Sequence, residues 1–77
     1  MPNYELKTIF NGGSWGEIER IYLYRGYILK YYQFCEEDCR HEFCYVIDMK
    51  GEELKEFHWN SCVEQAKQFV DELEDKK

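Results

Sequence analysis

The 77-residue sequence contains no run approaching the ~18 uncharged apolar residues that a membrane helix needs, so a membrane-embedded helix is excluded. Its opening residues, Met1-Pro2-Asn3-Tyr4-Glu5-Leu6-Lys7, lack the basic-then-apolar layout of a secretory leader, and a cytoplasmic location is the expectation. Internal repeats, low-complexity tracts and linkers are all missing, and the length allows a single domain, residues 1–77. Room is short as well. A chain this small has difficulty enclosing the ~300 Å³ or more of a typical ligand pocket, which counts against an enzyme. Below ~70–80 residues a core rarely supplies more than ~3–5 kcal/mol, so a metal, a dimer partner or a bound target would each add useful stability. Bases are scarce: ten Lys and Arg stand against 16 Asp and Glu, a formal net charge of −6.

Apolar and ring-bearing residues, by contrast, are abundant. The sequence is 44% hydrophobic and 18% aromatic, enough buried surface to offset chain entropy and exclude disorder. Charge is unevenly spread. Residues 1–35 hold three acids and four bases, net +1, and residues 36–77 hold thirteen acids and six bases, net −7. Such a chain repels a nucleic-acid backbone and favours basic partners, including surfaces that themselves bind nucleic acid.

Residues 4–10 alternate apolar and polar at their start and read as a strand. Three glycines within Asn11–Gly16 indicate a turn or mobile loop, with Trp15 either pinned to the core or offered to a partner. Segments 17–24 and 27–35, rich in β-branched and aromatic residues, flank Arg25-Gly26 and read as a hairpin with a two-residue turn. That turn sets Tyr24 opposite Tyr27, Leu23 opposite Ile28 and Tyr22 opposite Leu29. One hairpin face then carries Tyr22, Tyr24, Tyr27, Leu29 and Tyr31, and the other Ile21, Leu23, Ile28, Lys30, Tyr32 and Phe34. Residues 36–41 are polar and read as a loop, 42–48 as a fourth strand, Asp48–Gly51 as a type I turn and 53–59 as a fifth strand. Ser61-Cys62-Val63-Glu64 fits a capping box, and Val63, Ala66, Val70 and Leu73 recur at helical spacing, predicting an amphipathic helix over 61–75. The expected fold is α+β: an antiparallel meander of four or five strands with one C-terminal helix on one face. A lone helix covers one face, and the hairpin is apolar on both. Part of a Tyr-rich face should therefore stay uncovered and serve as a binding site, unless a loop or second subunit shields it.

Four side-chain constellations bear on chemistry. Cys35, Cys39, His41 and Cys44 are spaced for zinc, with Cys62 or His58 as a further ligand, but no second Cys-x2-Cys supports a metal, and no cofactor is expected. The cysteines read more readily as reduced structural thiols or, alternatively, as a disulfide whose pairing the sequence does not choose. His58 and Cys62 form a base and a thiol whose pKa a helix N-terminus would lower, yet no acid orients the histidine. Between Arg20 and Cys35 lie three bases, no acids and five tyrosines, a local single-stranded nucleic-acid signal that the net −6 opposes. Finally, carboxylates cluster at Glu36-Glu37-Asp38, at Glu52-Glu53 with Glu56, and along the helix.

These features favour a non-enzymatic, acidic inhibitor that binds a basic, nucleic-acid-binding surface of a larger protein or nucleoprotein complex. Its expected contacts are Glu36, Glu37, Asp38, Glu52 and Glu53, with Tyr22, Tyr24 and Trp15 as aromatic anchors. In size, charge and element order alone, the chain is similar to the small acidic inhibitors made by phages, anti-CRISPR proteins among them, which implies the host-cell cytoplasm. A zinc-stabilised module and a single-stranded nucleic-acid binder are the alternatives, and a homodimer fits the small core.

Overall fold

A computed structural model describes residues 4–76. Five strands follow one another: β1 (Leu6–Gly12), β2 (Glu17–Tyr24), β3 (Tyr27–Glu36), β4 (Cys39–Ile47) and β5 (Glu53–His58). The helix α1 (Cys62–Asp75) closes the chain. Neighbours in sequence are neighbours in the sheet, in the order β1-β2-β3-β4-β5, and every pair is antiparallel. The fold is thus the α+β meander with one C-terminal helix that the hydrophobic pattern predicts.

The β2–β3 hairpin has the expected register, with Tyr24 opposite Tyr27 and Leu23 opposite Ile28. Arg25 and Gly26 both take positive φ, 50° and 85°, the type I′ pair whose twist matches that of the strands. At the β4–β5 connection Asp48 organises the turn. Its carbonyl accepts from the Gly51 N–H, and its Oδ1 accepts from the N–H groups of Lys50 and Glu52.

Three features differ from the sequence reading for a physical reason, and in addition β4 ends at Ile47 rather than 48 and β5 at His58 rather than 59. Residues 36–41 are not a loop. Cys35 pairs with Arg40 and Glu36 with Cys39, so the ladder continues until only Glu37 and Asp38 remain to turn the chain. Polar side chains beyond the core do not stop a ladder, because its backbone bonds are indifferent to them. The first strand begins at Leu6 rather than Tyr4 and runs on to Gly12, with a bulge between Thr8 and Phe10. The capping box is not formed. Ser61 sits in the left-handed region (φ 67°) and makes no side-chain cap. An N-cap oxygen reaches the N2 or N3 amide only from an extended backbone.

The core is one-sided. Among the described residues, the eight buried apolar side chains are either on α1 (Cys62, Ala66, Val70) or on the sheet face beneath it (Tyr24, Leu29, Tyr31, Cys44, Val46). Around them pack Leu6, Tyr22, Tyr27, Phe57 and Phe69, the last two with rings 6.0 Å apart, edge to face. The helix crosses β3, β4 and β5. Its far end is tied to the β2–β3 turn: the Tyr24 hydroxyl donates to Asp71 (2.8 Å) and Arg25 Nη1 pairs with the same carboxylate (2.7 Å). Burial pushes the Tyr24 hydroxyl up to about 12, helped by the hydrogen bond to Asp71. Burial also pushes the Asp71 carboxyl upward, but the hydrogen bonds from Arg25 and Tyr24 outweigh it and hold it below its ordinary value.

Candidate functional site

The second face of the sheet carries no packed element among the described residues. Cross-strand registers assemble its side chains into rows. One row runs Glu17, Phe34, His41; the next runs Glu19, Tyr32, Phe43, His58. A third runs Phe10, Ile21, Lys30, Tyr45, Glu56, and a fourth Lys7, Leu23, Ile28, Ile47, Glu53. A sheet face left to water ordinarily alternates to polar residues. Here most interior positions are apolar or aromatic, with Lys30 the charged exception, none of these residues is buried, and carboxylates stand at two diagonally opposite corners: Glu17 and Glu19 on β2 at one end, Glu53 and Glu56 on β5 at the other.

The rings at one end of this face are in mutual contact. Phe34 stacks on His41 (centroids 4.8 Å, 20°) and on Phe43 (5.9 Å, 14°), and tilts against Tyr32 (5.7 Å). Phe43 meets His58 edge to face at 4.8 Å, and His41 lies 6.4 Å from Trp59. Tyrosines of this face lean on the marginal acids: a hydrogen bond to Glu17 raises the Tyr32 hydroxyl, and burial followed by a hydrogen bond to Glu56 raises that of Tyr45. Trp59 follows β5 at φ 76°, and its N–H donates to the Glu42 carbonyl (2.9 Å). A side chain in the left-handed region costs roughly 1–2 kcal/mol. Its ring, 67% exposed, recovers little of that by burial.

The expected contact residues are distributed over three places. Trp15, fully exposed, stands at the same end of the sheet as Glu36, Glu37 and Asp38, because the Gly16 carbonyl accepts from the Cys35 N–H (3.3 Å). Glu52 and Glu53 are at the opposite end, roughly 30 Å away along the nine-residue β4. Tyr22 and Tyr24 are on the helix-covered face, Tyr24 at 3% exposure, so the rings offered to solvent are those of the other face. Sequence reasoning identified the uncovered face as the feature to seek but not which face it is. Phe43, Tyr45 and Trp59 were missed as surface residues, since the β3–β4 and β4–β5 registers are what bring Phe43 and Tyr45 onto this face.

The remaining constellations are taken apart by the same registers. Strand alternation puts Cys35 and Cys44 on the helix side and Cys39 and His41 on the open side, so the zinc set does not converge. Among the described residues, no group of three or more His, Cys, Asp or Glu side chains is placed to hold a metal ion. All four cysteines are free thiols, Cys35 and Cys39 exposed, Cys44 and Cys62 buried. Burial pushes Cys44 up to about 12 and raises Cys62 as well, with Glu42 adding to the rise. The lowered thiol expected at the helix N-terminus is therefore overturned: desolvation wins over the two backbone amides. Of the three bases in the Tyr-rich hairpin, Arg25 is committed to Asp71, Arg20 is half-buried on the helix side, and Lys30 is exposed on the open face.

On the helix side a cleft of about 360 Å³ opens between the α1 N-terminus and β1–β2, lined by Arg20, Tyr22, Tyr31 and Glu42 among others. There the Tyr31 hydroxyl donates to Glu42 (2.6 Å), and Arg20 Nε is buried without a hydrogen-bond partner. Among the described residues, no helix is long and apolar enough to cross a membrane. Comparison with protein-family models, with curated proteins and with solved structures finds no match to this chain.

Proposed function

We propose that this protein is a non-enzymatic binding protein that docks by its uncovered sheet face on a basic, nucleic-acid-binding surface of a larger protein and blocks it. The observation that carries this reading is the composition of that face: a largely aromatic and aliphatic centre with carboxylates at two opposite corners. Apolar rings give such a contact its affinity, and charges at its rim give it selectivity and a fast, salt-sensitive approach. Four carboxylates against two lysines in the rows select a positive partner. They also disfavour a second copy, because two faces of the same net negative charge repel.

Site-specific cross-linking tests this. A photoreactive residue replacing Ile28, on the open face, should capture one larger basic protein, with capture falling steeply as salt rises. The same group replacing Gln68, on the solvent side of α1, should not. Equal capture from both positions, or capture of a second copy from Ile28, refutes the reading.

A further inference from the structure

The aromatic end of the open face contains a pocket of about 50 Å³ lined by His41, Glu42, Phe43, His58 and Trp59. It is far too small for a substrate-sized molecule and has room for a single head group. We propose that this pocket receives the guanidinium of an arginine side chain presented by a basic partner. The inference rests on the docking reading above and names the anchor that such a partner would insert.

Three observations support that occupant. The walls are rings, with Phe43 and His58 edge to face and Trp59 beside His41, and Trp is the side chain whose face attracts a cation most strongly. A carboxylate borders the rings: Glu56 Oε1 lies 3.4 Å from His58 Nε2. Lastly, Trp59 holds a left-handed backbone while leaving most of its ring in water, and strain of that kind persists where a ligand site is pre-shaped. A planar guanidinium stacks on rings and pairs with a carboxylate at its edge, so arginine fits this pocket better than a compact ammonium. A nucleobase would also stack on the rings, but its phosphates would meet a chain of net charge −6.

The probe is a short peptide, acetyl-Gly-Arg-Gly-amide, titrated at pH 8 into the full chain carrying Trp15→Phe. That substitution removes the fully exposed second indole and leaves Trp59 as the only one to follow by NMR. The Trp59 indole N–H should shift and saturate with an apparent Kd of about 10 mM, the scale of one cation–π contact with one charge beside it. Replacing the arginine by the neutral isostere citrulline should weaken binding about tenfold, and a lysine peptide should bind more weakly than arginine. Trp59→Ala, read on the Phe43 and His58 resonances, should abolish saturation; Trp59→Phe should keep most of it. An equal response to arginine and citrulline overturns the proposal, as does no saturable shift by about 100 mM, or saturation by oligothymidylate but not by the peptide. Because the probe is a tripeptide, failure here with Ile28 cross-linking intact removes the pocket and leaves the docking face standing.

Discussion

Ile28 and Leu29 are adjacent on β3, share their backbone environment, and point to opposite faces of the sheet. Leu29 is fully buried under α1, opposite Val46 and Tyr22, whereas Ile28 lies between Leu23 and Ile47 on the open face. Truncating Leu29 to Ala removes buried methyl groups and leaves a cavity that a helix and a sheet cannot easily collapse, a cost of ~3–4 kcal/mol. Truncating Ile28 loses part of the transfer free energy of its methyls, but water fills the space and no cavity remains, a cost of ~1–1.5 kcal/mol. A chain of 77 residues has a total stability of about 4–12 kcal/mol, so the first change removes a large fraction of it. With an m-value of about 1 kcal/mol/M in urea, the two midpoints should differ by roughly 2 M, measured by far-UV circular dichroism. The wild-type midpoint should not move over a tenfold range of protein concentration. Equal losses for the two variants would refute the reasoning, because Ile28 would then lie in a second interior. A concentration-dependent midpoint would identify that interior as an interface with another copy.

Three further outcomes follow from the geometry. The Asp71 carboxyl is held below its ordinary value, so its ties to Tyr24 and Arg25 contribute fully above the normal carboxyl range and are lost as pH falls through it. Asp71→Asn should remove this share of the acid sensitivity, and an unchanged profile of thermal midpoint against pH would contradict the assignment. Native protein should expose two fast-reacting thiols, Cys35 and Cys39, with Cys44 and Cys62 modified only on unfolding; four fast thiols would disprove their burial. Ser61→Gly should stabilise the chain by about 0.5–1 kcal/mol, because Ser61 takes φ 67° without making a cap, whereas a working capping box would make the same change a loss.

How much was legible in the sequence depended on whether the deciding interaction was local. The β2–β3 register was readable because Arg25-Gly26 admits one tight turn and the turn fixes every later pair. The helix stripe was readable for the same reason, its spacing being a property of the eleven consecutive residues Val63–Leu73. Ser61 failed as a cap because a motif specifies side chains and not φ, and here the path from Trp59 into α1 sets φ. The Glu36–His41 segment was misread because composition marks where side chains are wet, not where backbone pairing ends. The covered face was hidden because both hairpin faces are apolar. A clue was present in the tyrosines, since a buried hydroxyl needs a partner. Tyr24 finds Asp71, and Tyr31 finds Glu42. The ring cluster around Trp59 was out of reach: it depends on pairing Phe43 with His58, a register displaced by the irregularity between Val46 and Ile47 that no local motif announces.

Charge at the two acidic corners decides between a second copy and a different partner, and it can be reversed. In face-to-face packing, a two-fold axis along one diagonal of the face lays the Glu17 and Glu19 corner over the Glu53 and Glu56 corner, and an axis along the other diagonal lays each corner over itself. Both of these arrangements are acid on acid. Like charges brought together cost enough to suppress a wrong partner even where the rings between them would pack well. The double change Glu53→Lys and Glu56→Lys turns one corner basic while leaving the apolar centre untouched, and it makes the first arrangement complementary. Sedimentation should then show a wild-type monomer and a dimer of the double variant that weakens as salt rises. If the reversed protein stays monomeric at the same concentration, corner charge is not what keeps copies apart. The selectivity of the open face would then reside in the shape of its rings.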